Sequence, residues 1–85
     1  MFEHYHDTQH ETTITLGNGF KQVDIPLKFS GKWYLISISP YVIGDIYAFC
    51  NNAWIDSNYL HMIVANVGNN TSKLTVGASI RYYQW

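Results

Sequence analysis

Apolar and polar residues alternate with a period of two along most of the chain, and no segment shows the 3.6-residue period of an amphipathic helix. The alternation is clearest in residues 74–83 and recurs in residues 14–16, 23–29 and 59–64. Each of these segments predicts a β-strand with one face turned toward a core. The residues expected to face that core are Ile14, Leu16, Val23, Ile25, Leu27, Phe29, Leu60, Met62, Val64, Leu74, Val76, Ala78, Ile80 and Tyr82.

Glycine, proline and asparagine interrupt the alternation, as in "GNG" at 17–19 and "NVGNNTS" at 66–72, and we expect turns or loops there. Between these breaks, residues 33–39 predict a strand, residues 46–50 a shorter strand and residues 51–58 a polar loop. On the 33–39 strand, the residues expected to share one face are Tyr34, Ile36 and Ile38. About six strands separated in this way predict an all-β fold, a small six-stranded antiparallel β-sandwich.

We divide the chain into a polar, histidine-rich leader or fibre connection at residues 1–11 and a β-sandwich domain at residues 12–85. A domain of this size buries only about 60–65% of the surface that its unfolded chain exposes, so its stability is marginal without further support. Cys50 is the only cysteine, and no disulfide within the chain supplies that support. We therefore expect a homo-oligomer, which also covers part of the surface of 4 Phe, 3 Trp and 7 Tyr.

Charge and hydropathy argue against several classes of partner. The formal net charge is −1 and the basic residues form no cluster, so we expect no nucleic-acid partner. No stretch approaches the roughly 18 apolar residues of a membrane-spanning helix, and we expect no membrane insertion.

The sequence predicts a binding module and not an enzyme. The six acidic residues are scattered, and no spacing brings two of them together as a catalytic carboxylate pair. Cys50 and His61 lie on neighbouring predicted strands, but Cys50 shares a face with Ile46 and Ala48, which favours a small packing residue over a nucleophile.

The second half of the chain, "KWYLISISPYVIGDIYAFC…YLHMIVANVGNNTSKLTVGASIRYYQW", resembles the C-terminal receptor-binding knob of phage tail fibres. It is similar, more loosely, to the H-type lectins, which share that sandwich. The shared features are a strand ending in "SIS", a mid-chain strand, a strand with a polar loop near "VANVGNNTS", and a closing strand that ends on aromatic residues. The resemblance extends from Thr12 to Trp85, but "GNNTS" stands where H-type lectins carry a Trp-His pair.

The resemblance implies a homotrimer at the distal end of a virion's tail fibre that recognises carbohydrate on the host cell surface. Two alternatives remain open. One is a free-standing lectin similar to the H-type, and the other is a purely structural trimerisation domain that binds no glycan.

A flat aromatic ring flanked by amide and carboxylate groups is the usual means of binding a sugar, and "NNAWIDSNY" at 51–59 offers that mixture. Trp54 is the expected ring, although a tryptophan here is equally typical of packing against a neighbouring subunit. The polar residues expected around it are Asn51, Asn52, Asp56, Asn58 and Tyr59. Asn69 and Asn70 form a second candidate patch, for which turn chemistry is the alternative.

Four further residues carry open interpretations. Arg81, the only arginine, is a candidate ligand for a sugar acid or phosphate, but we favour an ion pair between subunits. His61 is expected to be a structural histidine. His4 and His6 point the same way in an extended segment, so a trimer would bring six imidazoles to its axis, as in tail-fibre tips that hold iron; a loose leader is the favoured alternative.

Overall fold

The computed structural model describes residues 5–84, and these residues form six β-strands without a helix. Strand formation follows the alternating pattern, because alternate side chains of a strand point to opposite faces of its sheet; β2, β5 and β6 bury residues of the inner face, while β1, β3 and β4 cover them with partly buried ones. The strands are β1 (Tyr5–Leu16), β2 (Gly19–Pro26), β3 (Trp33–Ile43), β4 (Ala48–Asp56), β5 (Tyr59–Asn66) and β6 (Ser72–Gln84).

Two three-stranded antiparallel sheets, in the orders β1-β6-β3 and β2-β5-β4, pack face to face. This arrangement confirms the predicted six-stranded antiparallel sandwich. Only β4 and β5 are both consecutive and paired, and the turn between them places Ser57 and Asn58 at positive φ, 52° and 65°, as a two-residue type I′ hairpin requires. The other connections cross from one sheet to the other.

The core lies between the inner faces of the two sheets and is centred on β5 and β6. Leu60, Met62 and Val64 of β5 are fully buried, and they meet Leu74 and the other inward residues of β6. The alternation in β2, β5 and β6 is confirmed, because these strands run without a break in register. Pro26 is the last residue of β2, which is an edge strand. Proline has no backbone N–H to donate to a neighbouring strand, and the end of an edge strand is a position where this is tolerated.

The face predicted for the 33–39 strand is wrong beyond Leu35. A β-bulge between Leu35 and Ser37 shifts the register of β3 against β6. Trp33, Leu35 and Ile38 therefore pack against the core together, while Ile36 is left exposed. A bulge opposes two residues to one and moves every later side chain to the other face, which the alternation does not reveal because both faces are apolar here.

The loop predicted at residues 51–58 is also wrong. Residues 51–56 continue β4, a second bulge lies between Cys50 and Asn52, and only Ser57 and Asn58 form the turn. Polar content indicated a loop, but on this strand the asparagines and Asp56 occupy solvent-exposed positions.

Residues 5–11, which the sequence analysis assigned to a leader, are part of β1. They pair residue by residue with the end of β6, from Tyr5 opposite Tyr83 to Glu11 opposite Gly77. The described part of the leader is therefore continuous with the sandwich.

The elongated molecule, 50 × 21 × 17 Å, has two different ends. The terminal end carries Tyr5, Gln84 and the β4–β5 turn, and the loop end carries the β1–β2, β3–β4 and β5–β6 connections. Asn66, 1% exposed, organises the loop end: its Nδ2 donates to the carbonyls of Leu16 and Asn70 at 3.0 Å, and its Oδ1 accepts from the Gly68 N–H at 2.9 Å.

Candidate functional site

Three aromatic rings lie together on the outer face of the β2-β5-β4 sheet, and we call this group the ring stack: Trp54, His61 and Tyr59. Trp54 stands opposite His61 in the register of β4 and β5, so their side chains project from the same face. Their ring centroids are 5.3 Å apart at 29°. Tyr59 lies two residues before His61 on β5, with centroids 6.1 Å apart at 22°. The rings are offset and nearly parallel, a favourable aromatic geometry.

Asp24 of β2 fixes the middle ring of the stack. It stands opposite His61 in the register of β2 and β5, and its Oδ1 lies 2.6 Å from Nδ1 of His61. This hydrogen bond raises the pKa of His61, with smaller contributions from Asp56, and lowers the pKa of Asp24, which also accepts from Nε2 of Gln22 at 3.0 Å. The imidazole is thus held in one orientation and favours its protonated form.

Amide and carboxylate groups border the ring stack. Asp56 stands opposite Tyr59, and Asn52 stands opposite Ile63 on the same outer face. Asp24 and Gln22 complete the border on the β2 side. The site therefore offers one exposed ring, Tyr59, and two partly exposed rings next to hydrogen-bond acceptors and donors, the combination expected from the sequence.

The remaining predicted site residues lie elsewhere. Asn51 sits in the bulge of β4, and Asn58 is in the β4–β5 turn, where its Nδ2 contacts the carbonyl of Phe29 at 3.4 Å. Asn69 and Asn70 are exposed at the loop end. The structure therefore brings Trp54, Tyr59, Asn52 and Asp56 to one face and separates the asparagine patch from them.

Arg81 lies on the opposite sheet and is paired within its own chain. Its Nε and Nη2 donate to the two carboxylate oxygens of Asp7 at 2.7 and 3.0 Å, and its guanidinium carbon lies 4.5 Å from the ring centroid of Tyr5. Arg81 therefore forms an ion pair across β1 and β6 of its own chain, and the pair between subunits that we favoured stays a prediction. This pair lowers the pKa of Asp7.

Sequence analysis missed Asp24 and the role of His61 in the ring stack. Both were placed on the correct face of their strands, but β2 and β5 are separated by two other strands along the chain. No turn length therefore fixes their register, and the sequence carries no local signal that Asp24 faces His61.

Cys50 and His61 lie on opposite faces of their sheet. Cys50 packs against the core, as predicted, its thiol donates to the carbonyl of Asn52 at 3.2 Å, and burial raises its pKa. His61 faces outward with Trp54. The two side chains therefore form no nucleophile–base pair.

The proposed histidine pair is described only in part, because His4 lies outside residues 5–84. His6 is exposed and its ring stacks on Tyr82, with centroids 5.3 Å apart. Within residues 5–84, no three His, Cys, Asp or Glu side chains are grouped closely enough to hold a metal ion. The iron site at a trimer axis stays a prediction.

Comparison of the chain with protein-family models, with curated protein sequences and with solved structures returned no match. Residues 5–84 also contain no helix of the length and hydropathy needed to cross a membrane.

Proposed function

We propose that this domain binds carbohydrate through the outer face of the β2-β5-β4 sheet. The observation that carries the proposal is the ring stack of Trp54, His61 and Tyr59, bordered by Asp24 and Asp56. Tyr59 is 43% exposed and Trp54 is partly exposed, so ring surface is available next to groups that accept hydrogen bonds from hydroxyls.

The geometry favours a preformed site. The His61 ring is held between two rings and by Asp24, and the carboxylate of Asp24 is held in turn by Gln22. Side chains that are already fixed lose little conformational entropy when a ligand binds. A shallow face of this kind suits a surface glycan that is presented in many copies, because avidity compensates for modest affinity at each site.

We propose the tip of a phage tail fibre or related particle as the setting, with the domain as a homotrimer that recognises host cell-surface carbohydrate. This part rests on the sequence resemblance. It is supported by exposed apolar side chains at the loop end, where Ile46 is 92% and Phe20 64% exposed, because such patches typify protein–protein interfaces. A fibre preceding β1 would join at the terminal end.

A glycan array identifies the ligand, and NMR titration of the side-chain signals of Trp54 and His61 measures its affinity at the ring stack. We expect Trp54→Ala to weaken binding at least tenfold, because stacking on an aromatic face contributes about 1–3 kcal/mol. Tyr34→Ala is the control, because Tyr34 is an aromatic residue, 66% exposed, on the opposite sheet, and we expect its loss to leave the affinity read from the Trp54 and His61 signals unchanged.

If none of the glycans bound on the array perturbs the NMR signals of Trp54 or His61, the proposed site is contradicted. A glycan-free trimer would instead favour the structural trimerisation domain.

A further inference from the structure

The outer face of the β1-β6-β3 sheet contains a second depression, which we call the serine trough. Its floor is formed by Ser37 and Ser39 of β3 and Ser79 of β6; in the register, Ser39 stands opposite Ser79 and Ser37 stands opposite Arg81. All three serines are exposed. The depression has a volume of about 400 Å³ and is also lined by Asp7 and Arg81, within the range of small-ligand sites.

A hydrogen-bonded bridge closes one end of the serine trough. Tyr41 of β3 reaches across β6 to β1, where its hydroxyl accepts from Nε2 of Gln9 at 2.8 Å and donates to Oε1 of Glu11 at 2.6 Å. Gly77 stands between Tyr41 and Glu11 in the register. Because Gly77 has no side chain, the tyrosine ring can cross the central strand at this point.

The other end is bounded by the Asp7–Arg81 pair and then by a row of tyrosines. Tyr5, Tyr83 and Tyr34 stand opposite one another across the three strands, and Tyr34 is 66% exposed. From this row to Gly77 is six residues, or about 20 Å of strand. The trough is therefore longer than one sugar ring and has fixed polar groups at both ends.

We propose that the serine trough binds a neutral, linear oligosaccharide, at a site separate from the ring stack. Hydroxyl, amide and carboxylate groups line it, and these exchange hydrogen bonds with sugar hydroxyls. The charge of Arg81 is balanced by Asp7, while Glu11 is hydrogen-bonded to Gln9 and Tyr41, which carry no positive charge. Anionic ligands such as sugar acids or phosphates are therefore disfavoured. The exposed ring of Tyr34 supplies a stacking surface at the end of the chain of sugars.

The test is an NMR titration of the backbone amides of residues 37–39 and 77–81. The probes are cello-, malto- and chito-oligosaccharides of one to six units, the neutral glycans of an array, and a sialylated trisaccharide. We expect shifts in these amides with a neutral probe, an affinity that rises with the number of units up to three or four, and a weaker response to the sialylated probe.

Ser79→Val removes a floor hydroxyl and fills the trough with a residue that strands accept well, and we expect it to weaken binding at least tenfold. Tyr41→Phe keeps the ring but removes the bridge to Gln9 and Glu11, and we expect a severalfold loss. Thr13→Val is the matched control, because Thr13 is an exposed residue of the same face beyond the bridge. Trp54→Ala is expected to leave affinity at the trough unchanged.

Three results would overturn the proposal: no probe shifts the trough amides, Thr13→Val weakens binding as much as Ser79→Val, or the sialylated probe binds most tightly. Because the ring stack is read from the Trp54 and His61 signals, its failure as a glycan site is distinguishable from failure of the trough.

Discussion

At the scale of single residues, the chemistry of this domain is set by pairs of side chains that meet across strands. His61 with Asp24, Arg81 with Asp7 and Tyr41 with Glu11 each join different strands. Each pair lies on an outer sheet face, where water screens its charges, so its main effect is to orient side chains and not to stabilise the fold. The candidate sites are built from such oriented groups.

The His61–Asp24 pair predicts a measurable titration. We expect the pKa of His61, followed by NMR of its ring protons, to lie above the ordinary value of about 6.5. Asp24→Asn should return it toward that value, whereas Asp7→Asn, which removes a carboxylate from the other sheet, should leave it unchanged. Because the folded-state pKa of His61 is raised, its contribution to stability is complete below about pH 6.5 and is lost as the pH rises through that higher pKa.

Protonation of Asp24 removes the stabilising contribution of the pair at low pH. Its pKa is lowered in the folded state, so its contribution is complete above its ordinary pKa of about 3.9 and is lost as the pH falls through the lower value. The pair therefore stabilises the fold most between about pH 4 and 6.5. An unchanged His61 titration in Asp24→Asn would contradict this account.

At the scale of the strands, β6 determines the geometry of its sheet because it pairs with both neighbours over most of its length. Its inner face supplies five of the eleven buried residues of the core cluster. On its outer face, Gly77 and Ser79 have small side chains or none. Gly77 has two effects there: it leaves space for Tyr41, and it permits close approach of β1. A Cβ at this position would collide with the backbone oxygen of His10 and lie 2.7 Å from Cα of Glu11.

We therefore expect Gly77→Ala to lower the free energy of unfolding by about 1–3 kcal/mol, because β1 must shift to accept the added methyl group. Chemical denaturation measures this loss. Ser79→Ala, two residues further along the same exposed face, should change stability by less than about 0.5 kcal/mol. Equal stability of Gly77→Ala and the unaltered chain would show that β1 is not held in this register.

At the scale of the whole molecule, the loop end differs in character from the two outer sheet faces. Both faces expose single large side chains, such as Tyr34 on the β1-β6-β3 sheet and Tyr59 on the β2-β5-β4 sheet, whereas the loop end exposes a group of apolar side chains. The exposed apolar residues at the loop end and beside it are Phe20, Ile43, Ile46, Tyr47, Phe49 and Val67. This concentration of apolar side chains supports self-association through the loop end.

The proposed homotrimer predicts a particle of three times the chain mass of 9.8 kDa by light scattering. We expect Phe20→Ser with Ile46→Ser to shift the chain toward monomer, because exposed apolar surface drives association. Thr13→Ser with Thr15→Ser, which alters two exposed positions of β1, is the control. A monomer at all concentrations for the unaltered chain would refute the homotrimer and remove the structural support for a fibre-tip setting, which would then rest on the sequence resemblance alone.

The sequence alone determined the fold class and most of the core. Period-two alternation identified the inward residues of β2, β5 and β6, because burying one face of a regular strand leaves a pattern that needs no knowledge of the partner strand. The sequence also grouped Trp54 and Tyr59 in one candidate site because they lie close together along the chain, and the β4–β5 hairpin keeps them close in the structure.

Only the tertiary structure decided the rest. The bulges of β3 and β4 arise from pairing with a central strand, so the alternation within β3 or β4 did not reveal them. Asp24 meets His61, and Tyr41 meets Glu11, through pairings between strands distant in sequence. Such registers depend on how whole faces pack together, because a shift of one residue would exchange the buried and exposed sides of a strand.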